Sequence, residues 1–328
     1  MKVLLTGASG FVGSHILDAL ARSGVPCAIL IRQGSSAGWI EPHLKTVEIH
    51  RCGLGSDTPW PTVLNGVTHI VHCAGATRAV HDRDYFTGNR DVTASLAAAV
   101  QAHPAVVRRW IHISSLAAVG PATSLKPALE TDDPHPVSVY GESKLSAERV
   151  VRELKGVDWT ILRPPAVYGP RDSEFLRLFK AAGNGFAPQF DGGAQELSLV
   201  YVEDLADVVA RVLDHPGAVG RVYHVASPEV ITAGELTDRV ARALGKRCRT
   251  LSIPGSVLFP VCAASQFWSR LIGKPTLLNI QKYAELRAPG WVCDPTQLRV
   301  ELGIECRTNA ADGMARTAVW YRQHGRLR

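Results

Sequence analysis

Short apolar runs alternate with longer stretches of helical periodicity along the first half of the chain. "KVLLTG", "CAILIR", "THIVHCAG", "RWIHISS" and "WTILRPP" are aliphatic runs of strand length. Between them, apolar residues recur at helical spacing from Gly13 to about Arg22, through "VTASLAAAVQA", and after Tyr140. Strands that alternate with helices of about ten residues or more indicate parallel βαβ units. Their near-continuous apolar character fits strands covered by helices on both faces. The pattern predicts an α/β fold built on a doubly wound parallel sheet. Past Pro164 it loosens into Gly- and Pro-rich loops, "YGPRD" and "QFDGGAQ". The strand-like "LVYV", the helix "EDLADVVARVL" and the strand "RVYHVA" then read as returning to the sheet. Residues 1–165 plus about 198–227 are thus expected to form one unit. Residues about 166–197 plus 228–328 are expected to form a smaller, mostly helical C-terminal lobe.

Composition narrows the class of function. The chain has 328 residues, 46% hydrophobic and 20% charged, with a net charge of +6. Its basic residues are interspersed with acids and never form a long run, which argues against a nucleic-acid arm and mildly for small anionic ligands. The cysteines, Cys27, Cys52, Cys73, Cys248, Cys262, Cys293 and Cys306, show no CxxC and no zinc spacing. Free thiols in a reducing compartment, no metal site and a cytoplasmic location follow as expectations. At the N-terminus, glycines break the apolar run too early for a signal peptide. "IPGSVLFPVCAASQFW", from Ile253, is interrupted by prolines and a glycine and falls short of the ~20 residues that span a bilayer. It reads as a lid over a substrate, a core helix, or a patch for weak interfacial association.

"LLTGASGFVGSHI" places Gly7, Gly10 and Gly13 between the first strand and the first helix. Glycine there permits a tight turn and a close approach to a pyrophosphate. The helix N-terminus then favours the negative charge on the amides of Gly10 to Val12. The position after a first strand makes this triplet a dinucleotide-binding signal, and the sheet a Rossmann-type one. At the end of the second strand, an acid would hold a ribose 2′-hydroxyl and an arginine suits a 2′-phosphate. This chain has Arg32 in "AILIRQGSS" and no acid until Glu41. NADP(H) is therefore preferred, with NAD(H) also possible.

"YGESK" sets Tyr140 four residues before Lys144, on one face of a helix. Such a pair occurs in many helices. Beside a nicotinamide site, however, it has a chemical reading: a nearby ammonium lowers a phenol's pKa from ~10 and makes Tyr140 a general acid and base.

The matching stretches "TGASGFVG", "HCAGATR", "YFTGNRDVTASL", "IHISSLAAVGP", "YGESK", "RPPAVYGPRD" and "VYVEDLADVV" run in order along the chain. On these the chain resembles the extended branch of the short-chain dehydrogenase/reductase superfamily, the epimerase/dehydratase type that includes 3β-hydroxysteroid dehydrogenases and dihydroflavonol-type reductases. The resemblance implies that Ser115, the second hydroxyl of "SS", is catalytic with Tyr140 and Lys144, with Ser114 as the fallback. It also implies that Asn89 braces a water or the lysine. By the same resemblance the cofactor lies against Gly7, Ser9, Gly10, Phe11, Val12, Gly13, Arg32, Gly53, Leu54, Cys73, Ala74, Gly75, Thr77, Ser114, Tyr140, Lys144, Pro164 and Val167. Gly53 stands where the family often has an Asp near the adenine. Helices 86–102 and 139–155 match those that pair in family homodimers.

Three functions compete. The first is an oxidoreductase interconverting a carbonyl and a secondary alcohol on a mainly apolar molecule. The second is a nucleotide-sugar epimerase that recycles its cofactor, and the third is a non-catalytic dinucleotide-binding protein. Sugar dehydratases of similar sequence carry an Asp-Glu pair where this chain has Leu116 and Ala117. Epimerases carry an arginine where it has Leu197, although Arg171 and Arg287 remain available to a diphosphate. Loss of Tyr or Lys marks inactive members, and both residues are present here.

Overall fold

A computed structural model of the chain describes residues 1–103, 107–276 and 279–327. In chain order the strands are β1 (Val3–Thr6), β2 (Cys27–Ile31), β3 (Glu48–Arg51), β4 (His69–His72), β5 (Arg109–Ile113), β6 (Asp158–Arg163), β7 (Ala166–Tyr168), β8 (Phe186–Phe190), β9 (Glu196–Tyr201), β10 (Arg221–His224), β11 (Val230–Thr232), β12 (Arg249–Ile253) and β13 (Gly290–Trp291). The helices are α1 (Phe11–Arg22), α2 (Trp60–Val63), α3 (Asp82–Phe86), α4 (Val92–Ala102), α5 (Val139–Arg152), α6 (Phe175–Gly183), α7 (Val202–Val212), α8 (Ala233–Ala243), α9 (Gly255–Ile272), α10 (Ile280–Arg287), α11 (Thr296–Leu302) and α12 (Ala310–Gln323).

The main sheet is parallel, in the order β10-β6-β5-β4-β1-β2-β3. Alternate residues of its strands serve two cores. Leu5, Ile29, Val71 and Ile111 pack with Ile16 and Leu20 of α1 and Val208 and Val209 of α7. Leu4, Leu30, Ile70 and Trp110 pack on the other face with Leu96 and Val100 of α4 and Val151 of α5. The sheet is doubly wound, as the apolar runs require. Its order reverses between β1 and β4, and ligands of such sheets bind beyond the strand ends at that point.

Two elements differ from the sequence reading. β3 has no continuous apolar run because it is the sheet edge; Glu48 and Arg51 are exposed. The strand containing "LVYV", β9, does not return to the main sheet. It pairs with β7, β11 and β13 in a smaller sheet, although α7 and β10 do return. The lobe is mostly helical, with a further two-stranded sheet of β8 and β12. Its core gathers Tyr168, Phe179, Tyr201, Met314 and Tyr321.

Candidate active site

The glycine turn is shaped by what cannot fit there. Gly7 has φ +75°, and a Cβ on it would fall 2.7 Å from Ala74 N. A Cβ on Gly13 would fall 2.1 Å from Gly7 O. The β1–α1 turn is thereby pressed against both its own helix and the loop after β4. Gly10 caps α1 without a side chain, and the first turn holds no acid, so the positive helix end is available to an anion. Ser9, Phe11 and Val12 are half-buried around it. A cradle of backbone amides that side chains would block fits a dinucleotide pyrophosphate.

The loop after β4 is held from both sides. Thr6 Oγ1 accepts from Ala74 N at 3.2 Å and meets His72 Nδ1 at 2.8 Å. Asn89, buried in a single π-turn, takes Ala76 N at 2.9 Å, returns a bond to Ala76 O at 3.0 Å and donates to Ser143 Oγ at 2.8 Å. π-turns inside helices recur at functional sites. Asn89 thus braces the Cys73–Thr77 loop and α5 and does not bond Lys144 directly. A Cβ on Gly75 would lie 2.7 Å from Asn89 Oδ1 and 3.8 Å from Lys144 Nζ, so the three converge.

Ser138 caps α5 by accepting from Gly141 N at 3.2 Å, which begins the helix one residue before Tyr140. Tyr140 is half-buried, and its phenol lies near enough to Ser115 for that hydroxyl to favour the phenolate. Ser115 also accepts from Ala117 N at 3.1 Å. Ser114, one residue earlier, points into the protein and donates to Glu148, whose carboxylate forms a buried two-point pair with Arg163 (2.9 and 2.7 Å). Of the two serines, only Ser115 faces the tyrosine. One turn beyond Tyr140, the buried Lys144 ammonium donates to Ile113 O at 2.6 Å.

The electrostatics differ from the simple expectation that the lysine holds the phenol down. Burial raises the Tyr140 pKa; the Ser115 hydroxyl opposes this, and the carboxylates of Glu285 and Glu174 add to it. Burial also lowers Lys144 to about 8 from 10.5, against the pull of Cys73 and Glu148. Cys73 is pushed up to about 11 by burial, and His72 down to about 3 by burial and Lys144. The chain alone therefore leaves the tyrosine protonated.

At the other end of the crevice Arg32 stands exposed one residue past β2, with Gly53 and Leu54 just past β3. Leu54 packs on the core beneath. Thr77 is exposed in the β4 loop, Pro164 O accepts from Leu116 N at 2.8 Å beside Ser115, and Val167 lies in β7.

Sequence reasoning missed the charged rim. Arg78 forks onto Glu174 at 2.9 and 2.6 Å, and Lys282 pairs with Glu285 at 2.9 Å. Tyr85 sits edge-on to Tyr140 at 6.1 Å, near Asn279. These residues come from four separate segments, and no local motif joins them. Arg171 is committed elsewhere, to Asp18 of α1 at 2.8 Å and over the Trp39 ring.

Comparisons with known proteins agree with this architecture. The chain is 27% identical over 328 residues to a ceramide reductase of Caulobacter vibrioides, covering 99% of this chain and 96% of that one. It is 29% identical to a UDP-glucose 4-epimerase of Vibrio cholerae, over 77% of this chain and 79% of that one. It superposes on the NAD complex of UDP-glucuronic acid 4-epimerase from Bacillus cereus with a TM-score of 0.80 at 21% identity, covering 99% of both chains. The profile of the NAD dependent epimerase/dehydratase family matches residues 3–226, and with the glycine turn and the parallel sheet on the page, the chain belongs to that family.

Proposed function

We propose that this protein is an NAD(P)-dependent oxidoreductase that interconverts a carbonyl and a secondary alcohol on a mainly apolar small molecule, preferring NADP(H). The observation that carries the reading is the Ser115 hydroxyl set against the Tyr140 phenol, with Lys144 one helical turn on, beside the glycine cradle. The bound nicotinamide supplies or accepts the hydride. In reduction, Ser115 holds the carbonyl oxygen and Tyr140 gives it a proton. The Lys144 ammonium stabilises the phenolate left behind, and in oxidation the same phenolate takes the alcohol proton back. Arg32 supports the NADP(H) preference, since a guanidinium suits a 2′-phosphate.

An apolar substrate is favoured by the charges near the tyrosine. Glu174 and Glu285, which act on Tyr140, are already paired with Arg78 and Lys282, so those two cations are neutralised and a diphosphate gains no net positive charge there. Arg171 is held by Asp18, and Leu197 packs against the lobe core. The reductase name of the Caulobacter relative supports the same reading. The epimerase alternative draws on the Vibrio relative and on the exposed Arg287. Calorimetry with UDP, GDP and dTDP beside NADPH absorbance with cyclic and aryl ketones decides between them. Turnover of a ketone with no nucleotide binding supports the reductase; micromolar nucleotide binding without ketone turnover rejects it.

A further inference from the structure

Helix α9 is amphipathic the wrong way round for an ordinary surface helix. Leu258, Cys262 and Ser269 face inward and are buried. Val257, Val261, Trp268 and Leu271 are 47%, 44%, 61% and 62% exposed. With Ala264, these four fall within an arc of about 80° on a helix of 3.6 residues per turn. Phe267 and Ile272 flank that stripe and are also exposed. A contiguous exposed apolar stripe of this kind marks an interaction surface.

Its sequence neighbours are basic, and the acid that touches its first turn, Asp191, accepts from Gly255 N at 2.9 Å. Between Asp238 and Glu285 the chain carries eight Lys or Arg residues and no acid. Arg247, Arg249, Arg270 and Lys274 are exposed, and β12, which begins at Arg249, leads through Pro254 into α9. Apolar residues with Trp on one face and basic residues alongside describe a helix that lies in a lipid interface. α9 has 18 residues with Pro260 inside, and no helix among the described residues is long and apolar enough to cross a membrane.

We infer that α9 docks this protein on an anionic lipid bilayer surface, its Val257–Leu271 stripe among the acyl chains and its basic neighbours at the headgroups. A second copy of the chain on the same face would set these basic stretches against each other, whereas an anionic surface complements them. The docking helix is one layer from the chemistry. The Phe259 ring packs edge-on to Tyr283 of α10 at 5.2 Å, and Gln281 of α10 accepts from Val139 N, at the start of α5, at 2.9 Å. Delivery of a lipid carbonyl to Tyr140 rests on the proposed reaction; docking itself does not.

The test is flotation of the full chain with vesicles of phosphatidylcholine alone and of phosphatidylcholine with phosphatidylglycerol, at low and physiological salt. The protein is expected to float with the anionic vesicles, less so as salt rises. The double variant Arg270→Gln/Lys274→Gln should weaken partitioning about fivefold for each charge removed. Trp268→Gln/Leu271→Gln should weaken it roughly tenfold or more, with unchanged melting and NADPH binding as the control for folding. No flotation with anionic vesicles, or flotation that survives both double variants, overturns the inference. So does a sedimentation dimer that Trp268→Gln dissociates without any vesicle binding, which assigns the face to a second copy. Ketone turnover is followed in parallel, so flotation without turnover defeats the proposed reaction and leaves the docking intact.

Discussion

Replacing Lys144 with methionine is expected to make the dinucleotide-free protein more stable while abolishing its turnover. Lys144 is 6% exposed, and burial brings an ammonium that ordinarily titrates at 10.5 down to about 8. That gap corresponds to about 3 kcal/mol in favour of the neutral amine. Methionine keeps an unbranched stem of similar size and removes the charge. Ile113 O then loses its donor, a cost of about 1 kcal/mol. The net gain is on the order of 2 kcal/mol, or on the order of 4 °C in melting temperature for a chain of this length. The pH dependence identifies the cause. The lysine releases its proton near 8 when folded and near 10.5 when unfolded, so between those values the unfolded chain binds more protons and the unmodified protein gains stability as pH rises. The advantage of Lys144→Met is therefore complete below pH 8 and fades toward pH 10.5. Scanning calorimetry of both proteins at pH 7 and pH 10 measures it. A variant that melts below the unmodified protein at pH 7, or a difference that is the same at both pH values, refutes the reasoning.

Tyr140→Phe should lower turnover by ~100- to 10,000-fold, the usual range for loss of a general acid, with dinucleotide affinity retained by titration; near-normal turnover would remove Tyr140 from the chemistry. Arg32→Asp should reverse the order of NADP(H) and NAD(H) affinities, read from the fluorescence of the reduced dinucleotides. If the unmodified protein already binds NADH more tightly than NADPH, the assignment of Arg32 fails. Arg163→Met leaves Glu148 charged and without its buried partner, and should cost about 3 to 5 kcal/mol in urea unfolding. A loss under about 1 kcal/mol would show that water or Ser114 satisfies the carboxylate instead.

Features carried by consecutive residues were legible in the sequence. The glycine turn, the apolar strands and the serine, tyrosine and lysine are each local, because strand and helix periods place neighbours in sequence at known positions in space. The extent of α4 matches "VTASLAAAVQA" residue for residue. β3 was missed because an edge strand is not buried on both faces and need not read as apolar. β9 was misplaced because "LVYV" suits either sheet, and its partners β7, β11 and β13 are remote in sequence. Sequence similarity pointed to Ser115 over Ser114, while the physical reason, that Glu148, itself paired with Arg163, engages Ser114, lies in contacts of α5 with the strands beside it. The rim of Arg78, Glu174, Lys282 and Glu285 was invisible for the same reason.

The Glu148–Arg163 pair also limits the routes by which such a chain can change through descent. Its carboxylate sits on the helix that bears Tyr140 and Lys144, and its guanidinium on the neighbouring strand. A single substitution at either position strands a charge, at a cost of about 3 to 5 kcal/mol. That is a large part of the ~5 to 15 kcal/mol by which a typical protein is stable. The two positions can be exchanged only together, so the seating of the helix that bears Tyr140 and Lys144 passes between generations as a unit. Leu197 and the outer face of α9 have no such tie, so either can change without stranding a buried charge.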